Sequence, residues 1–137
     1  MLSGNSSVDF VGTQPDVVGH VCTGLAVQHF YDGKSVVDQA NATYFRFSGN
    51  WHRICFEKGT VFWRSDLAPQ QPVNSTLGYG LLLNDLSELP VVSGRKLLQV
   101  DYSGTEAGDV EARFLFEGDA ILRLRYSSSS DSTQIDA

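Results

Sequence analysis

Apolar and polar residues alternate along the chain in short runs broken by Gly, Asn and Asp, the period-two pattern of half-buried β-strands. This pattern predicts strands over Val21–Tyr31, Thr43–Ser48, Trp51–Glu57, Thr60–Ser65, Gly78–Leu83, Lys96–Tyr102, Val110–Phe116 and Ala120–Tyr126. Residues that tolerate positive φ fall between them, at Asp32-Gly33, Gly49-Asn50 and Lys58-Gly59. Asp85 with Glu88 resembles a capping box, and Leu82, Leu86 and Leu89 have helical spacing, so a single helical turn is expected between Asn84 and Pro90. The stretch Asp66–Thr76, with Pro69 and Pro72, reads as a loop. Both ends, Met1–Asp16 and Ser127–Ala137, are rich in Ser, Gly and Asp without an apolar period and read as flexible segments, leaving one domain over Val17–Tyr126. Strands of this length joined by tight turns suit an all-β antiparallel meander, either a small closed barrel or a two-sheet sandwich.

Two-residue loops fix cross-strand register, which turns the pattern into a statement about faces. With loops at Gly49-Asn50 and Lys58-Gly59, one face stacks Phe47 with His52 and Ser65, Phe45 with Ile54 and Trp63, and Thr43 with Phe56 and Val61. That face is core. The other stacks Ser48 with Trp51 and Asp66, Arg46 with Arg53 and Arg64, and Tyr44 with Cys55 and Phe62. For the last hairpin, a three-residue loop of Glu117, Gly118 and Asp119 separates the faces cleanly. Phe116, Phe114, Ala112 and Val110 then meet Ala120, Leu122, Leu124 and Tyr126, while Leu115, Arg113 and Glu111 meet Ile121, Arg123 and Arg125. Six of the seven arginines therefore lie on strand faces opposite the core.

Composition changes this picture in one respect. The 137-residue chain carries 10 Lys+Arg against 16 Asp+Glu, a formal net charge of -6, so nucleic acid is not the expected partner. The charge is uneven: residues 1–50 hold 2 basic and 4 acidic groups, 51–100 hold 5 and 4, and 101–137 hold 3 and 8. The arginine row thus lies in the basic middle of an acidic protein. Adjacent strands are only about 4.8 Å apart, so opposed like charges need an anion or full hydration. Guanidinium groups bind two oxygens of a carboxylate or phosphate at once and stack on aromatic rings. Arg46, Arg53 and Arg64, helped by Arg113 and Arg123, are accordingly expected to hold an acidic head group, with Trp51, Tyr44 and Phe62 covering an apolar body. The alternative is a solvated face on which these arginines pair with Glu57, Glu111 and Asp66, at about 0–1 kcal/mol each.

Other chemistry is poorly supplied. His20 and Cys22 share a face, but His52 and Cys55 are an odd spacing apart and fall on opposite faces, so no closed metal set and no Cys-His nucleophile with an orienting partner is expected. No glycine loop that cradles phosphate precedes a helix, so neither cofactor nor metal is expected. Cys22 and Cys55 read as thiols rather than a disulfide framework. Three N-x-Ser/Thr sequons, at Asn5, Asn41 and Asn74, are available for glycosylation only in a secreted protein. No stretch approaches the roughly 20 apolar residues of a membrane span, and Met1–Gln14 lacks an apolar signal region, so a soluble cytoplasmic protein with no membrane partner is expected.

The runs Glu111-Ala112-Arg113-Phe114-Leu115-Phe116 and Leu122-Arg123-Leu124-Arg125-Tyr126-Ser127 resemble the final hairpin of the S-type phycobiliprotein lyases. The resemblance implies a calycin-like barrel that binds an open-chain tetrapyrrole, whose propionates would suit Arg123 and Arg125. Gly49-Asn50-Trp51 echoes the G-x-W of lipocalin-type barrels, although it lies too far into the chain for a first strand. The expected function is non-enzymatic binding of a small amphipathic anion. The alternative is an interaction module, an adaptor or immunity-type protein, whose acidic C-terminal third binds a basic protein.

Overall fold

The computed structural model describes residues 5–6, 8–33, 35–70 and 79–137. The described chain is all-β: β1 (Asn5–Ser6), β2 (Asp9–Val11), β3 (Cys22–Asp32), β4 (Ser35–Phe47), β5 (Asn50–Glu57), β6 (Thr60–Ser65), β7 (Tyr79–Asp85), β8 (Leu97–Thr105), β9 (Val110–Phe116), β10 (Ala120–Ser127) and β11 (Ser132–Asp136). They form a six-stranded sheet in the order β2-β6-β5-β4-β3-β7 and a five-stranded sheet in the order β1-β8-β9-β10-β11. Every pairing is antiparallel except that of β2 with β6. The backbone joins the two sheets beside an isolated antiparallel bridge of Val21 with Lys96, where Cys22 N–H donates to the Arg95 carbonyl and Leu97 N–H to that of His20 (both 2.9 Å). No continuous ladder closes a barrel among the described residues, so the sheets face each other as a sandwich whose backbone is open along its edges. Among the described residues no helix is long and apolar enough to cross a membrane.

The core lies where the alternation places it. Leu25, Phe45, Phe47, Ile54, Val61 and Trp63 from one sheet meet Leu97, Phe114, Phe116, Leu122 and Leu124 from the other in one buried cluster. Phe114 touches both Phe45, with ring centroids 4.7 Å apart, and Trp63 edge-on at 6.4 Å. The β5–β6 register is the expected one, with Arg53 opposite Arg64 and Cys55 opposite Phe62. The β9–β10 register is also as expected, and Gly118 and Asp119 both take positive φ in its three-residue loop.

Four expectations are corrected. The β4–β5 turn is Ser48-Gly49, not Gly49-Asn50, because a tight hairpin turn needs positive φ at both positions and Ser48 (φ 52) and Gly49 (φ 79) supply it. The register therefore shifts by two residues, which keeps the faces but changes the partners. The 84–90 segment holds one hydrogen-bonded turn, Leu89 N–H donating to the Leu86 carbonyl (2.9 Å), but no helix and no capping box: Asp85 caps Ser87 rather than engaging Glu88, its Oδ1 accepting the Ser87 N–H (2.9 Å) and hydroxyl (2.6 Å). The supposed C-terminal tail turns at Asp131 and returns as β11 beside β10. The N-terminal segment also carries structure, as β1 on β8 and β2 on β6.

Both long sides of the sandwich are closed by side chains. On one, Trp63 Nε1 donates to the Tyr102 hydroxyl (2.8 Å), which donates to Gln14 Oε1 (2.6 Å), tying β6, β8 and the N-terminal segment together. Gly12 fits there because a Cβ would stand 2.1 Å from the Trp63 carbonyl oxygen. The other side depends on a bulge. Between the pairs Gln28–Ala42 and Phe30–Asp38, β3 advances two residues while β4 advances four. The extra length bends β4 out of its sheet toward β11. Buried Asp38 then accepts the Thr133 N–H (2.9 Å) and the Ala40 N–H (3.2 Å) on Oδ1, and Gln39 Oε1 accepts the Ile135 N–H (3.3 Å).

Candidate anion site on the outer face of the six-stranded sheet

Side chains of β3 to β7 that alternate with the core residues form the outer face of this sheet. Its rows follow from the observed registers: Asp85, Ala26, Tyr44, Arg53 and Arg64 lie in one cross-strand row, Gly24, Arg46 and Trp51 in the next, and Gln28 beside Ala42 with Cys55 beside Phe62 in the third. The three arginines are thus not one row. Arg53 and Arg64 oppose each other directly, while the shifted turn moves Arg46 opposite Trp51. Arg113 and Arg123 are opposed to each other on β9 and β10. Their neighbours Ala112, Phe114, Leu122 and Leu124 point into the shared core, so these two arginines face away from the first group across the sandwich and cannot join its site.

Arg46 is occupied. A bulge at Thr23 brings that residue under the guanidinium, which donates from Nε to Thr23 Oγ1 (3.0 Å) and from Nη2 to the Thr23 carbonyl (3.0 Å). Its Cζ lies 5.5 Å from the centroid of the Trp51 ring. The indole rests on bare backbone, since a Cβ on Gly24 would come within 2.7 Å of Trp51 Cη2. Trp51, Leu67 and Leu83 pack on Ala26, Ala42 and Tyr44, giving this face a small apolar cluster of its own. Beside it lies a cavity of about 330 Å³ lined by Arg46, Trp51, Leu83, Asp85 and Ser87 among others. The two hydrogen bonds from Ser87 hold the Asp85 carboxyl below the usual carboxylate range.

Arg53 is in a different state. It lines a second cavity of about 350 Å³ with Gln28, Asn41, Cys55, Glu57, Phe62 and Asp131. Its Nε is buried and has no hydrogen-bond partner among the described residues. The ion pair formed among those residues, Arg125 with Asp136 at 2.6 Å, is on the other sheet. Neither Glu57 nor Asp66 therefore neutralises Arg53 or Arg64 in the way a solvated, self-paired face requires. Burial pushes the Cys55 thiol up, with Arg53 pulling it down less strongly and Glu57 adding to the rise. Burial likewise pushes the Cys22 thiol up to about 11. Cys22 donates to the Gly24 carbonyl (3.3 Å) while His20 Nδ1 meets Ser48 Oγ (3.1 Å), so the two do not address each other. No three His, Cys, Asp or Glu side chains converge among the described residues.

Five of the eight residues expected at the site, Arg46, Arg53, Trp51, Tyr44 and Phe62, line these two cavities or belong to the apolar cluster, while Arg64, exposed and paired opposite Arg53, lines neither cavity. The sequence reading missed Gln28, Asn41 and Leu83. The signal for them was the run of small outward positions Gly24, Ala26 and Ala42, which leaves a depression wherever larger side chains surround it. No protein-family model, curated protein or solved structure matches the chain.

Proposed function

We propose that the protein is a non-enzymatic β-sandwich that binds a small amphipathic anion on the outer face of its six-stranded sheet. Arg53 and Arg64 receive the acidic group. Arg46 acts as a positioning residue that fixes the Trp51 indole, and the Trp51, Tyr44 and Leu83 cluster covers the apolar part of the ligand. The observation that carries this reading is the Arg53 guanidinium, whose Nε is withdrawn from water without a partner while a second arginine stands directly opposite. A guanidinium with one nitrogen withdrawn from water and unpartnered, beside a like charge, is costly, and an incoming carboxylate or phosphate relieves both penalties. Amphipathic carboxylates, alkyl phosphates and, given the resemblance of the last hairpin, open-chain tetrapyrroles form the first panel. A ligand at 100 times its Kd stabilises the native state by about 2.7 kcal/mol, a Tm increase of roughly 8–12 °C for a domain of this size. That increase, lost in Arg53→Glu, is the expected result. A flat response across the panel overturns the reading in favour of a basic protein partner bound by the acidic C-terminal third.

A further inference from the structure

The second cavity exists because a sheet comes apart. The β4–β5 ladder runs from Phe47–Asn50 to Thr43–Ile54 and stops, since the bulge in β4 carries its first half toward β11. In an antiparallel ladder every second pair exchanges two hydrogen bonds, and a two-residue turn makes Phe47–Asn50 such a pair. Thr43–Ile54 is then the last bonded pair, and Asn41–Phe56 would be the next. The structure leaves that pair unmade. The N–H and C=O of Phe56 consequently point into a fork between β4 and β5 with no strand partner on that side among the described residues. The cavity occupies this fork, with Asn41 and Ala42 on one bank and Cys55, Phe56 and Glu57 on the other.

The fork is also electrically polarised. Arg53 stands at its closed end, next to Ile54. Glu57 and Asp131 stand at its open end, four residues further along β5, a distance of about 14 Å at 3.4 Å per residue. Asp131 spends one oxygen on the Tyr126 hydroxyl (2.7 Å) and retains the other.

We propose that the fork binds a short free peptide, two or three residues long, as an inserted strand paired with Phe56. Charge fixes its direction. A peptide lying antiparallel to β5 continues the line of β4 and brings its C-terminal carboxylate to Arg53 and its ammonium group to Glu57 and Asp131. The parallel orientation would set each terminus against a like charge. An extended tripeptide is about 10 Å long, which leaves room for the side chains of Arg53 and Glu57 to reach its ends. The volume of about 350 Å³ lies at the low end of small-ligand sites and excludes long peptides from the closed end. The proposal rests on Arg53 as the receiver of an acidic group and adds main-chain pairing and a second charged end, which a simple amphipathic anion cannot use.

The test uses the full chain and calorimetric titration with Ala-Leu-Ala in four forms: both termini free, N-acetylated, C-amidated, and with both ends blocked. Decanoate serves as an amphipathic anion without amide groups. The free tripeptide is expected to bind, each blocked end to weaken binding at least tenfold, and the Phe56 amide to gain protection from hydrogen exchange in the complex. Arg53→Met should remove the discrimination against the amide, and Glu57→Gln, at an exposed position, should reduce the discrimination against the acetylated form. Tripeptide binding indifferent to blocking, or absent while decanoate binds in an Arg53-dependent way, overturns the peptide proposal and leaves the anion site standing. Failure of both probes to respond to Arg53 overturns the two together.

Discussion

Replacing Asp38 by Ala tests the closure of the sandwich directly. Asp38 is 7% exposed, and its Oδ1 accepts main-chain N–H groups of Thr133 and Ala40, which are 3% and 1% exposed. Its Oδ2 also accepts from Asn41 Nδ2 at 3.4 Å, near the limit of a hydrogen bond. Truncation leaves two buried donors without an acceptor and opens no route for water that β11 does not first have to vacate. Each orphaned donor costs about 1–3 kcal/mol, and because β11 can shift to recover part of this the total is set at about 2–4 kcal/mol. At this chain length that lowers Tm by roughly 6–16 °C. Urea unfolding followed by Trp51 and Trp63 fluorescence gives the free energy, and amide exchange gives the location, with Thr133 and Ile135 losing protection first. Asp38→Asn keeps a carbonyl oxygen in the same place and should recover at least half of the loss. A cost below about 0.5 kcal/mol for Asp38→Ala would refute the closure, and an Asn variant as damaged as Ala would assign the effect to charge rather than to the acceptor.

Three further outcomes follow from the geometry. Gly24→Val should displace the Trp51 indole, seen as a red-shifted emission and weakened ligand binding with the core left intact, because the added Cβ meets Trp51 Cη2 at 2.7 Å. Burial pushes the Tyr102 phenol from 10.0 up to about 12. The folded state therefore holds that proton more tightly than the unfolded chain, and the corresponding stability is complete below pH 10 and lost as pH rises toward about 12. Tyr102→Phe should flatten that alkaline slope in urea midpoints measured against pH, while costing about 1–3 kcal/mol at neutral pH for the Trp63 donor it abandons. The Cys22 thiol, raised from 9.0 to about 11, should resist alkylation at pH 8 in the native protein and react at the rate of a free thiol in urea.

How much of this was legible beforehand depended on how local the cause was. The registers of β5–β6 and β9–β10 were readable because a glycine in each turn and strict alternation on both strands leave a single consistent pairing. The β4–β5 register was off by two residues because Ser48 and Asn50 are both acceptable beside Gly49, and only the demand for two positive φ angles selects Ser48. That slip alone turned three arginines of one sheet face, Arg46, Arg53 and Arg64, into an incorrect row. The first half of β4 was not readable, since Val36 and Val37 are both exposed and the bulge at residues 39–41 breaks the alternation. Nor was β11, where a serine-rich tail is recruited by Asp38 and Gln39, whose bonds to it span 95 and 96 residues of sequence. Arg113 and Arg123 were placed on the correct face of their own hairpin, but which side of the molecule that face occupies depends on sheet packing rather than on alternation.

The central claim is that Arg53, half-buried with its Nε withdrawn from water, awaits an acidic group. The most direct measurement is thermal unfolding of wild-type protein and Arg53→Met side by side, with and without saturating amphipathic carboxylate. Without ligand, removal of a half-buried guanidinium whose Nε has no partner among the described residues should leave Tm unchanged or raised. With ligand, the wild type should gain roughly 8–12 °C at 100 times the Kd and the variant nothing. A variant that is strongly destabilised without ligand, or that gains as much as the wild type with it, would contradict the account.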